Sequence, residues 1–69
     1  MPIAEKRVIK GETKEENLIL ECLKKENLHI DKIIKKTNLS PQTVSATLSL
    51  MEIEGKVKNL GGNIFTTAQ

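Results

Sequence analysis

The sequence is poor in the residues that carry most recognisable chemistry. It has no tryptophan or tyrosine, and Phe65 is its only aromatic. The aromatic platforms on which single-stranded bases stack are therefore missing. One cysteine, Cys22, excludes an internal disulfide and a cysteine-based metal cluster. One histidine, His29, leaves no Ser–His–Asp constellation of sensible geometry. His29 and Asp31 are two apart, but nothing supplies the further ligands that a metal site needs. No apolar run is long enough to cross a bilayer, and the N-terminus has no continuous signal-peptide core. A cytoplasmic setting, without catalysis, metal or cofactor, is the expectation. Gly61-Gly62 lacks the Lys and Ser/Thr of a phosphate loop and reads as a turn.

Sixty-nine residues make one domain, which buries only about 60% of its extended-chain surface. The net charge of +2 is too small to imply nucleic acid by itself.

The chain is organised around Leu39 to Gly55, LSPQTVSATLSLMEIEG. Ser40 has the chemistry of an N-cap, and Pro41 falls at the first helical position, where its missing N–H is harmless. Leu39 and Val44 have the spacing of a hydrophobic staple, and Gly55 suits a left-handed stop. Val44, Leu48 and Met51 recur at i, i+4, i+7 as one apolar stripe; Ala46, Leu50 and Ile53 make a second on roughly the opposite side. The stretch contains no Lys or Arg, and its only charges are Glu52 and Glu54.

Upstream, Met1 to Glu12 has no cap and no helical period, and reads as a linker or extended arm, or as a disordered tail. Thr13-Lys14-Glu15-Glu16 has capping-box spacing and opens a first helix. Leu18, Ile19, Cys22 and Leu23 are its expected apolar face, with Cys22 buried and Leu20 exposed off that face. Asn27 is the expected left-handed stop. Leu28-His29-Ile30 alternates like a very short strand. Asp31 is the expected N-cap of a second helix, Lys32 to Lys36, with Ile33 and Ile34 facing the core and Asn38 ending it. The gap to Ser40 is that of a helix-turn-helix.

Downstream, Lys56 to Leu60 reads as a strand, Gly61-Gly62 as a two-residue hairpin turn, Asn63 to Thr66 as the return strand, and 67–69 as a frayed end. The expected fold is mainly α: a winged helix-turn-helix over 13–66, with a three-helix core and a small antiparallel β-hairpin wing.

Two function classes follow. In a helix-turn-helix the third helix enters the major groove. Gln42, Thr43, Ser45, Ala46 and Ser49 are its candidate outward positions, with Gln42 suited to an adenine edge and Thr43 or Ser45 to a phosphate. Lys32, Lys35, Lys36, Lys56 and Lys58 surround this helix and can straddle phosphates; they read equally as a solvated set. The second-helix segment is +2 (three Lys, one Asp) while the third helix is −2, an unfavourable sign for a groove reader. The other class is protein contact through Ala46, Leu50 and Ile53, against a partner, a second copy or a missing neighbouring domain. The same stripe can instead fold under the wing or the N-terminal arm.

Leu28-His29-Ile30-Asp31, Leu39-Ser40-Pro41, Val44-Ser45-Ala46, Leu48, Met51 to Gly55, Val57 and Leu60-Gly61-Gly62 resemble the C-terminal winged-helix domain of the DNA-processing protein A (DprA/Smf) family. The resemblance covers about Asn17 to Phe65. It implies an accessory domain of a bacterial DNA-processing protein in natural transformation, whose absent Rossmann-like domain binds incoming single-stranded DNA and helps load a RecA-type recombinase. It also implies that Met1 to Glu12 is a linker from that domain. Weak, sequence-tolerant DNA contact through Lys35, Lys36, Lys56 and Lys58, or docking through Ala46, Leu50 and Ile53, is the expected mechanism. A free-standing transcriptional regulator of duplex DNA is the alternative. Leu50, where a polar residue is expected, and Lys56, where a less polar one is expected, depart from the family pattern.

Overall fold

The computed structural model describes residues 13–68, so the expectations for 1–12 and Gln69 lie outside it. The order is α1 (Lys14–Lys25), β1 (Leu28–His29), α2 (Ile30–Thr37), α3 (Pro41–Ile53), β2 (Val57–Asn59) and β3 (Ile64–Thr67). The three strands form one antiparallel sheet in the order β1-β3-β2. Leu28 pairs with Phe65, and Val57 with Thr67. This is a winged helix: three packed helices, with a hairpin returning to pair with a strand that precedes the second helix.

Each helix begins where a side chain can satisfy an orphan N–H. Thr13 caps α1, its hydroxyl accepting from the Glu16 N–H at 3.1 Å. Ser40 caps α3 by accepting from the Thr43 N–H at 3.1 Å, and Pro41 follows it. The second helix departs from expectation. It begins at Ile30, and its cap is not Asp31 but His29, whose Nδ1 accepts from the Asp31 N–H at 3.0 Å. The Ile30 N–H still donates to the Asn63 carbonyl, 2.9 Å distant and in register with the ladder, so the helix begins at the residue that makes the last bond to the wing.

Two helix ends follow from left-handed residues. Asn38, at φ 63°, ends α2, and its N–H donates to the Ile34 carbonyl at 2.9 Å. Gly55, at φ 78°, follows the end of α3. Asn27 is not left-handed: α1 ends on Glu26 in extended conformation, which feeds the chain straight into β1.

Every element contributes to the core: Ile19, Leu20 and Leu23 from α1, Leu28 from β1, Ile33 from α2, Val44, Leu48 and Met51 from α3, Val57 from β2 and Phe65 from β3. Full burial of each large apolar side chain contributes about 1.5–3 kcal/mol. Leu20 is thus buried rather than exposed, whereas Leu18 is exposed and Cys22 only half-buried. The working face of α1 is Glu16, Ile19, Leu20 and Leu23, spaced three, one and three apart. The expected face shared Ile19 and Leu23 but leaned to the wrong side, because a glutamate stands at the head of the true one.

That glutamate is only 2% exposed, and Lys56 reaches it: Nζ lies 3.0 Å from Glu16 Oε1. The same ammonium is 3.0 Å from Glu54 Oε1, and the Lys56 side chain is only 16% exposed. A carboxylate in such a place is tolerable only when paired.

The wing tip has three residues rather than two. Leu60 faces Ile64 (N to O 2.7 Å), and Gly61, Gly62 and Asn63 between them all have positive φ. The far end is not frayed through the described residues: Thr67 is in β3, and the Ala68 N–H donates to the Lys56 carbonyl at 3.0 Å.

Replacing Lys56 by Met takes its ammonium away from the buried Glu16 carboxylate, and the expected loss is about 2–4 kcal/mol in urea denaturation. Adding Glu16→Leu removes the stranded charge and restores most of it. Single variants within 0.5 kcal/mol of the parent would contradict the pair's structural role.

Candidate functional site

The surface of interest is the outside of α3. With Val44, Leu48 and Met51 turned inward, Gln42, Ser45, Ala46, Ser49, Leu50 and Ile53 share the opposite face, and all six are exposed. The face changes character along its length. Its first half carries amide and hydroxyl groups. Its second half carries Leu50, 48% exposed, and Ile53, 83% exposed. Ile53 is held out in water by the last turn of a helix whose Glu54 N–H still donates to the Leu50 carbonyl at 2.9 Å. Leu50 and Ile53 are therefore surface residues and do not fold under the wing.

Thr43 is set apart from this group. It is half-buried, and its Oγ1 accepts from Ser40 Oγ at 2.9 Å, so its hydroxyl belongs to the helix cap. The turn before α3 is equally fixed: Thr37 Oγ1 donates to the Ile33 carbonyl at 2.7 Å, and Leu39 is half-buried against the core. The helix-turn-helix is a stiff platform.

The candidate lysines divide. Lys32, Lys35 and Lys36 are exposed along α2, and Lys58 is exposed on β2. Lys56 is different. Its ammonium is committed to Glu16 and Glu54, so it is not presented to a phosphate. The residue most directly bridging α3 and the wing is thus an internal ion-pair partner. Sequence reasoning gave Glu16 a capping-box role and missed its burial against Lys56, because a glutamate in a first helical turn reads as a cap or dipole partner. The signal that pointed to it was the unexpected polarity of Lys56.

Among the described residues no cluster of His, Cys, Asp and Glu could hold a metal ion, and no helix is long and apolar enough to cross a membrane. A shallow groove of about 180 Å³ runs between the C-terminal ends of α1 and α2, lined by Glu21, Cys22, Lys25, Glu26 and Lys36.

The family model of the DprA winged helix domain matches residues 4–63, nearly the whole chain. The chain belongs to the DprA winged helix domain family. No curated protein and no solved structure matches it significantly.

Within a DprA winged helix frame the two departures have different fates. Leu50 lies on the open face and enlarges its apolar half. Lys56 lies inside and meets a buried acid. The departures do not add a basic group to the outward face of α3.

Leu50→Asp and Ile53→Asp are expected to cost no more than about 1 kcal/mol each, the penalty of an acidic residue near a helix C-terminus, because neither side chain is part of the buried core. Leu48→Ala, one turn away on the inner stripe, is expected to lose about 2–5 kcal/mol. Calorimetry of the three variants checks the assignment of faces; equal losses would overturn it.

Proposed function

We propose that this domain is a non-catalytic accessory module of a cytoplasmic DNA-processing protein acting in natural transformation, in DNA uptake and recombination mediation. It works chiefly by docking a protein through the outer face of α3. The observation that carries this reading is the composition of that face: it has no Lys or Arg, and it ends in Leu50 and the largely bare Ile53. A groove-reading helix depends on cationic and amide side chains to neutralise phosphates and read bases. Here only Gln42, Ser45 and Ser49 are available for such contacts, while Ala46, Leu50 and Ile53 favour an apolar partner surface. The occupant we assign is a Rossmann-like domain of the kind that the family resemblance implies, rather than a second copy.

Exposure of Lys35, Lys36 and Lys58 supports a second, subsidiary activity: weak, sequence-tolerant contact with DNA phosphates. That contact does not need α3 to enter a groove. The rival reading, a sequence-specific regulator of duplex DNA, needs a symmetric dimer and a palindromic site.

A salt series on DNA affinity separates these readings. Phosphate contact alone gives a log–log slope of about −0.9 per contact on duplex and about −0.7 on single strands. The expected result is weak binding or none at physiological salt, unchanged by Leu50→Asp/Ile53→Asp, together with binding to a DprA-family Rossmann-like domain that the double substitution abolishes. Tight, sequence-selective duplex binding that is lost on Gln42→Ala would contradict the docking reading and favour the regulator.

A further inference from the structure

The start of α2 is built in an unusual way, and the group that builds it can change charge. Caps are ordinarily Ser, Thr, Asp or Asn, whose oxygens accept at any pH where the fold survives. Here the acceptor is the Nδ1 of His29, 3.0 Å from the Asp31 N–H. To accept, Nδ1 must be bare, so the neutral ring carries its proton on Nε2. The Asp31 carboxylate lies close to the same nitrogen, its Oδ2 3.7 Å from Nδ1. One ring atom thus faces a backbone donor that it bonds now and an anionic acceptor that it can bond only after gaining a proton.

We propose that His29 is a proton-dependent cap. In the neutral form Nδ1 holds the first turn of α2 through the Asp31 N–H. On protonation a proton from water occupies Nδ1, the bond to the Asp31 N–H is lost, and the new Nδ1–H donates to Asp31 Oδ2. The imidazole changes partner within one residue. The backbone of Asp31 is released to water while its side chain is captured.

The surroundings favour such an exchange. β1 packs against α2 and β3. From α2, the charged group recorded against the ring is Asp31, and the next residue, Lys32, is exposed. From β3, the residue across the ladder is Ile64, and the turn before it supplies Gly61, Gly62 and Asn63, none of which titrates. The ring is partly open to water, at 42% exposure, so a proton can reach it. The Ile30 N–H is bonded to the Asn63 carbonyl at 2.9 Å and keeps β1 anchored to the wing in either state. The change is therefore confined to the first turn of α2, at the head of the helix-turn-helix, and does not unfold the sheet. It does not depend on what α3 binds.

The test is nitrogen and amide spectroscopy on the uniformly ¹⁵N-labelled full chain between about pH 8 and about pH 5, the interval in which histidine side chains ordinarily change charge. The expected result at the upper end is the Nε2–H tautomer with a protected Asp31 amide. At the lower end Nδ1 is protonated, and the Asp31 protection factor, corrected for intrinsic exchange, falls by about fivefold, the size of a lost cap. In His29→Asn, whose amide oxygen caps without titrating, protection is expected to stay constant over the same interval. In Asp31→Asn the replacement acceptor loses its charge, and acidification then lowers global stability where the parent's holds. An Nδ1–H tautomer at the upper end, or Asp31 protection that does not change as the ring gains its proton, would overturn the proposal.

Discussion

The carboxylate of Glu16 is the constraint on which the arrangement turns. It stands on the inner face of α1, where the other three residues of the stripe, Ile19, Leu20 and Leu23, are apolar core residues, and only 2% of it meets water. An isolated charge there would be intolerable, so the fold has to bring a cation to it. The cation is Lys56, forty positions away, on the short link between α3 and β2. That single requirement ties the first turn of α1 to the point where the third helix becomes the wing. Glu54 closes on the same ammonium from the helix end. A buried ion pair of this kind adds little net stability over a well-packed apolar pair, but breaking one side of it is expensive.

This internal pairing also shapes the outside. A cation between the third helix and the wing would stand where a phosphate backbone passes in a helix-turn-helix complex. With Lys56 turned inward, Lys58 is the exposed lysine of β2. What faces water is a rigid rod, polar over Gln42, Ser45 and Ser49 and apolar over Ala46, Leu50 and Ile53. The exposed lysines among the described residues sit on other elements, three on α1, three along α2 and one on β2. The division of labour is thus electrostatic: the helix that would read bases carries acid but no cation, and the cations that would hold phosphates lie on other elements.

Most of the fold was legible because its local signals agree with its global pattern. Ser40-Pro41, the stripe Val44-Leu48-Met51, Asn38 and Gly55 each do in the structure what their chemistry suggests. The misses come from residues with two plausible local roles. Asp31 is a better cap than His29 on statistics, yet the chain leaves β1 one residue earlier and puts the imidazole in the capping position. Asn63 tolerates positive φ well enough to extend a Gly-Gly turn by one residue. On α1, Leu18 and Cys22 compete with Glu16 and Leu20 for the inward face, and hydrophobicity alone chooses wrongly. The outcome is decided by a lysine far along the chain, which no local window contains. The open character of Leu50 and Ile53 was likewise undecidable from periodicity, since a second apolar stripe can be covered or bare.

Lys56 is held by Glu16 and Glu54 and is largely withdrawn from the surface. Its ammonium can be observed directly in a ¹⁵Nζ-detected spectrum of the full chain. The expected Lys56 signal has Nζ protons that exchange with water far more slowly than those of exposed Lys58, and that exchange faster when Glu16 is replaced by Gln. A Lys56 ammonium that exchanges as fast as that of Lys58 in the unmodified protein would contradict it.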